Sequence, residues 1–409
     1  MASEPAPNGA PPEKSAREKR KDLIGKIEAA REGRLLITYI TSTRPGLEIQ
    51  LGDDSLPLIH DVLEGAKQKA KKGVDLFIHS NGGSGTTPWR LVNLIREYTK
   101  DFTVLVPHHA FSAATLIALG ADKVIMHKMG CLGPIDPSVT NAFNPPHPHN
   151  PGQLIPISVE DVTAYFTLIK EDVGVQHEDE LIQAIIALTE KIHPLALGNV
   201  QRSHHQSRMI ARKLLQKHIP KGQQHEIDKL IENLKSNLYF HGHPINREEA
   251  KTDLGLKAEK ASEELEPIIW SLYEEYAREL KIAERFNPLH EWEIQQAAPR
   301  PGPQPLTTQQ IVAQIVQLVQ AGISLPQVTE QQLVNLAAAM IPHLTPATAG
   351  TGNKKVRIDG AKCAYLESVD NAHVFLADLT LERITATTPT GPSDLMKQEV
   401  VWQRWESVR

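Results

Sequence analysis

Short apolar runs alternating with amphipathic helical patterns constrain this chain more than any other feature. Leu35–Ser42 is β-branched and aromatic, a strand pattern. Leu56–Lys72 places Leu58, Ile59, Val62, Leu63, Ala66 and Ala70 at helical spacing. Val74–His79 is an almost continuous apolar run, as expected of a strand buried on both faces. The glycine-rich turn Ser80–Thr87 leads into a helix over Trp89–Tyr98. Strand Phe102–Val106, a turn at Pro107–Phe111, helix Ser112–Leu119 and strand Lys123–Met126 follow, ending in the glycine and proline turn Gly130–Pro137. This rhythm predicts an α/β fold with a mainly parallel sheet.

The rest of the chain divides by composition. Residues 1–21, rich in Pro, Ala, Lys and Glu, read as a disordered tail. Residues 22–285 read as the main domain, opened by a short helix over Asp22–Arg34. Within it the proline-rich stretch Phe143–Pro156 is expected to be an exposed loop. Helical patterns cover Val159–Val173, Glu178–Lys191, Leu195–His218, Gln224–Leu238 and Glu266–Leu280. A proline-rich linker at 286–306 precedes a helical segment and second linker at 307–353, with helices over Thr307–Ala321 and Glu330–Ile341. The alternating runs of 354–409 read as a small β-rich module.

Composition excludes several functions. With 44 basic and 49 acidic residues the net charge is −5, without the basic excess that wrapping nucleic acid requires. Two cysteines, Cys131 and Cys363, lie too far apart in sequence for a CxxC pair and point to a reducing compartment. The N-terminus has no apolar core behind its basic residues, and Phe102–Met126 is interrupted by Pro107, His108, His109, Asp122 and Lys123. A soluble, cytoplasmic protein with no membrane span is expected. No Walker or dinucleotide fingerprint occurs, so no cofactor is expected.

Two turns carry the chemistry. In Ser80-Asn81-Gly82-Gly83-Ser84-Gly85 the paired glycines can present bare backbone N–H groups to a ligand. In His108–Thr115, Ser112 sits where a strand gives way to a helix. A serine there is commonly an N-cap. The same place suits a nucleophile, because the helix start stabilises an oxyanion and Ala113 and Ala114 leave room for substrate. Both turns fall at strand ends, where open α/β sheets bind ligands.

The order of strand, NGG turn, helix and strand, then HHAFSAATLIALGADKVIM and GCLGPIDP, resembles the Clp-protease/crotonase superfamily. It is most similar to the serine dehydrogenase proteinase family, related to signal peptide peptidase A. Further similar stretches are His193–Leu215 and Tyr239–Leu256. The resemblance implies a Clp-protease/crotonase-like parallel sheet with helices, a helical extension and a serine peptidase acting on peptide or protein substrates. It implies Ser112 as nucleophile, Gly82, Gly83 and Ala113 at the oxyanion and substrate site, and a homo-oligomer. Clp proteases place a histidine base in the turn after the next strand, but Gly130–Pro137 contains none. Peptidase A relatives use a lysine, and Lys170 falls in the corresponding window. A lysine base must be neutral, which takes burial. Lys191, His193 and His204 are alternatives. Gln201, Arg202, His204, His205 and Arg208 either face a cleft or form a polar outer face.

The 18 histidines raise the question of metal. The pairs His108-His109, His147 with His149, and His204-His205 lack HExxH or i, i+4 carboxylate spacing, so no metal site is expected. His241 and His243 precede an Asn246–Glu249 capping box and read as structural or as an oligomer contact. Asp136 reads as a turn-fixing residue. Two alternatives to a peptidase stand: a crotonase-like acyl-CoA enzyme, and a catalytically impaired scaffold on the same fold.

Overall fold

The computed structural model describes residues 14–135, 137–147, 150–220, 222–234, 243–297, 355–388 and 391–408. The disordered tail expected at 1–21, the linker around 298–306 and the helices expected at 307–321 and 330–341 fall wholly or largely outside the described residues. By its contacts the chain divides into two compact units. The first comprises Met1–Phe286, Gly360–Ala377 and Gln403–Arg409. The second comprises Asn287–Asp359 and Asp378–Trp402.

The mainly parallel α/β sheet is present. We number its strands β1 (Leu35–Thr41), β2 (Val74–His79), β3 (Phe102–Val106), β4 (Lys123–Met126), β5 (Ala258–Lys260), β6 (Lys355–Glu367), β7 (Ala372–Thr388) and β8 (Gly391–Ser407). Among the described residues their order is β5-β4-β3-β2-β1-β6-β7-β8. β1 to β5 run parallel, with Leu35 opposite Val74, Val74 opposite Phe102 and Val104 opposite Val124. β6 pairs antiparallel with β1, Thr38 facing Glu367.

The side chains of β1 show why its whole run is apolar. Leu35, Ile37 and Tyr39 enter one core, while Leu36 and Ile40 enter the other. Successive strand residues point to opposite faces, and here both faces are covered. Helices α2 (Leu56–Gly65), α3 (Thr87–Tyr98), α4 (Ala113–Leu119) and α5 (Pro194–Leu215) line the first core through Ile59, Leu91, Leu116 and Leu214. Helices α1 (Ala16–Ala30) and α6 (Leu265–Glu279) line the second through Ile24, Ile27, Ile269 and Tyr276. Each such aliphatic side chain contributes about 1.5–3 kcal/mol on burial.

Several boundaries differ from the sequence reading. The first helix starts at Ala16, because Ser15 and Glu18 close a reciprocal capping box. Residues 16–21 are therefore helix rather than tail. Phe143–Pro156 is not all loop: Pro146–His147 pairs with Asn150–Leu154. The C-terminal strands exist, but the segment from Gly360 belongs to the first unit through the β1–β6 pairing rather than to a separate module. A buried bidentate pair fastens that edge: Arg20 donates to Glu367 at 2.8 and 2.9 Å, and Tyr276 Oη donates to Glu367 at 2.7 Å.

In the second unit, helix Pro288–Ala297 forms within the stretch read as linker. Arg357 pairs with Asp378 at 3.4 Å and Lys355 with Glu382 at 3.4 Å. Among the described residues no single helix is long and apolar enough to cross a membrane. Glu178–Thr189 and Pro194–Leu215 pass that test only as a pair bent by 103°.

Candidate active site

The two glycine- and serine-bearing turns are zipped together where β2 and β3 end. The Ser80 N–H donates to the His109 carbonyl at 3.1 Å, and the Phe111 N–H donates to the Ser80 carbonyl at 2.9 Å. Ser80 Oγ accepts from Thr41 Oγ1 at 2.8 Å and from the Gly82 N–H at 3.0 Å. On the far side, the Leu51 N–H donates to the Gly82 carbonyl at 2.8 Å, and the Ser84 N–H to the Leu51 carbonyl at 2.9 Å.

Both glycines are required by contact. A Cβ on Gly82, whose φ is +105°, would lie 2.8 Å from the Phe111 carbonyl and 2.8 Å from Ser112 Cβ. A Cβ on Gly83 would lie 2.3–2.9 Å from the Leu51 backbone. Backbone therefore passes against backbone on both sides. Neither the Gly83 nor the Ala113 N–H finds an acceptor among the described residues.

Ser112 stands at the N-cap position of α4 with φ +51° and ψ −113°. An L-residue there is strained by about 1–3 kcal/mol, a cost that persists only where the surroundings impose it. Its hydroxyl makes no capping hydrogen bond, so the N-cap role a serine commonly plays is not taken up. Ala113 and Ala114 are buried behind it. Thr115 Oγ1 lies 2.8 Å from the carbonyls of both Ala110 and Gly133 and accepts the Gly133 N–H at 3.1 Å, holding the Gly130–Pro137 turn against α4. The Ile245 segment pins that turn from outside, exchanging N–H bonds with Leu132 at 2.8 and 2.9 Å.

Ser112, Ala113 and Gly83 open onto a cleft of about 590 Å³. Leu116, Ile135, Pro137 and Val139 make its apolar wall; Gln50, Ser84, Thr86 and Thr140 make polar edges. α5 contributes Ser203, Gln206 and Ser207, one helical face at i, i+3, i+4 spacing. Ser207 Oγ donates to the Ile135 carbonyl at 2.7 Å. The residues singled out on this helix from sequence are elsewhere: Gln201, Arg202 and His205 are exposed, and neither His204 nor Arg208 lines the cleft. Sequence reasoning missed Ser203, Gln206, Ser207 and Leu51. The signal for the first three was the small polar stripe inside an otherwise basic helix.

Among the described residues no lysine, histidine, aspartate or glutamate lines the cleft. Lys170 is exposed on the π-helical turn Leu168–Asp172 and does not reach the cleft. Lys191 is exposed, and His193 instead caps α5 by accepting the Leu195 N–H at 3.1 Å. Asp136 and His241 lie outside the described residues. The Asn246–Glu249 capping box is formed, with His243 3.1 Å from Glu249.

A strained serine with a free hydroxyl, set beside acceptor-free N–H groups at the carboxyl ends of parallel strands, is an α/β arrangement suited to a nucleophile. Residues 13–172 match the family model of the ClpP-like SDH-type serine proteinases, the family whose motifs the sequence resembles. An uncharacterized protein of Methanocaldococcus jannaschii is 36% identical over 87 residues, covering 21% of this chain and 29% of the relative. A second uncharacterized protein of that organism is 39% identical over 66 residues, covering 16% of this chain and 23% of the relative. The matched stretches thus span less than a third of either relative's length. At the level of the family, the match to that model supports a serine peptidase.

Proposed function

We propose that the chain is a serine endopeptidase in which Ser112 is the nucleophile. Ser112 Oγ attacks the scissile carbonyl carbon, its proton passes to a base, and the N–H groups of Gly83 and Ala113 hold the resulting oxyanion. Collapse breaks the C–N bond as the amine takes up a proton, and water then hydrolyses the acyl-enzyme. The observation that carries this reading is the left-handed Ser112, its hydroxyl unspent on capping, at the mouth of a cleft flanked by acceptor-free N–H groups.

The base comes from outside the cleft. Lys170 remains the residue to test, in a Ser–Lys arrangement completed by contact with a second copy. Around it Leu168, Val173, Ile182, Ile185 and Ile186 are exposed, apolar surface that self-association into a homo-oligomer would bury. Cys131 and Cys363 are both unpaired, which supports a reducing, cytoplasmic setting. The substrate is a peptide or protein with an uncharged side chain beside the scissile bond, matching the uncharged lining.

Intact-mass spectrometry after fluorophosphonate treatment tests the nucleophile. We expect one adduct on the wild type and none on Ser112→Ala. A folded wild type that takes no adduct overturns the peptidase reading in favour of a catalytically impaired scaffold or serine-independent acyl-CoA chemistry. Labelling that persists in Lys170→Ala removes Lys170 as the base.

A further inference from the structure

The strands that deliver the two turns also deliver three imidazoles to their other side. His79 ends β2, while His108 and His109 follow β3 just before Ser112. None of them lines the cleft. Instead they gather against α6, with Tyr273 stacked on His108 at 5.3 Å and set edge-on to His79 at 5.0 Å. The ring centres are 4.2 Å apart for His79–His109, 4.8 Å for His108–His109 and 5.6 Å for His79–His108. One ring nitrogen from each lies within 4.8 Å of the other two.

The nitrogens are arranged for ligation. His79 Nε2 is 3.1 Å from Thr43 Oγ1, and donation there fixes the tautomer, leaving Nδ1 as the acceptor of a long, 3.4 Å bond from the His109 backbone N–H. His108 Nδ1 and His109 Nδ1 approach to 2.8 Å, a separation two lone pairs tolerate only with a proton or a cation between them. His109 Nε2 is buried without a partner among the described residues.

We propose that His79, His108 and His109 form a site for a borderline divalent transition metal, of the zinc, cobalt or nickel class. An all-imidazole donor set selects such ions over magnesium or calcium. Metal–nitrogen bonds of about 2.0–2.1 Å in a tetrahedral site space the donors roughly 3.3 Å apart, so the 2.8 Å His108–His109 pair must open and any wider spacing close, shifts that rotation of the half-buried His108 ring can help supply. A bound ion ties the exit of β2 to the exit of β3, bracing from behind the turns that carry Gly83 and Ser112.

The test is titration of the chelator-stripped full-length chain with Co(II), followed by visible absorption, and with Zn(II), followed by calorimetry. One tight equivalent per chain is expected, with the intense ligand-field bands of a tetrahedral cobalt centre. His108→Gln, and His108→Gln with His109→Gln, should weaken binding by at least about tenfold. His60→Ala, which removes an exposed histidine, and Ser112→Ala should each bind as the wild type does. Circular dichroism establishes that each variant is folded. Absence of the stoichiometric equivalent, or equal binding by the wild type and a folded His108→Gln variant, overturns the site.

Discussion

The two sides of the paired turns carry opposite chemistry. On the side packed against α4 and α5, Ser112 and the Gly83 N–H face an uncharged cleft without a titratable group among the described residues. On the side packed against α6, three imidazoles crowd together, with Tyr273 stacked on His108. Ser112 lines the cleft and the three histidines do not, although His109 is only three residues from Ser112. Sequence proximity to a nucleophile is therefore no guide to the base. In a parallel sheet, neighbouring residues leave a strand toward different layers.

A lesion remote from both sides gives the baseline for this comparison and the largest expected effect. In Glu367→Gln the buried Arg20 guanidinium loses its bidentate partner, and breaking such a pair costs about 3–5 kcal/mol. Urea melts should show that loss, while fluorophosphonate labelling per folded molecule stays at the wild-type rate. Altered labelling would mean that the β6 edge and the turns are coupled.

Gly83→Ala strikes the cleft side alone. Its Cβ would lie 2.3–2.9 Å from the Leu51 backbone, so the turn must shift and carry the Gly83 N–H with it. Removing one oxyanion donor costs about 10²–10³ in rate, which is the expected fall in labelling. Metal binding at His79, His108 and His109 should survive. If both properties fail together in a folded variant, the two sides do not behave independently.

What could be read in advance follows the same division. The strands were legible because burial on both faces demands unbroken apolar runs, as in Leu35–Thr41 and Val74–His79. Gly83 and Ser112 were legible because a close backbone approach needs glycine and a strand-to-helix turn exposes its first residue. His79 was not connected to His108 and His109, since only the β2–β3 register places those strand ends side by side. On α5 the sequence left a cleft or a polar outer face open for Gln201, Arg202, His204, His205 and Arg208, none of which lines the cleft, and it did not name the residues that do. The charged and aromatic members of that helix draw attention, yet packing turns Ser203, Gln206 and Ser207 inward. The pairing of β6 with β1 joins residues more than three hundred positions apart and leaves no local mark.

Ser207→Ala probes the cleft wall with a smaller effect. It leaves the buried Ile135 carbonyl without the hydroxyl that donates to it at 2.7 Å, at a cost of about 1–3 kcal/mol. Because Ile135 lines the cleft, KM for a peptide substrate should rise more than kcat falls. An unchanged KM would show that this wall does not touch substrate.

The smallest effect sharpens how firmly α4 is anchored. His218 Nε2 donates to the Leu119 carbonyl at 2.8 Å at the end of α4, and burial holds its pKa below the ordinary 6.5. Below pH 6.5 the unfolded chain takes up a proton that the folded imidazole resists. Stability therefore falls as pH drops through 6.5 and is fully present above it. Melting temperatures of the wild type and His218→Gln, measured between pH 7.5 and 5, should converge as the pH falls, because the variant lacks this loss. Parallel curves would show that His218 titrates alike in both states, and coincident ones that α4 is held by its apolar packing on Ala211 and Leu214 rather than by this hydrogen bond.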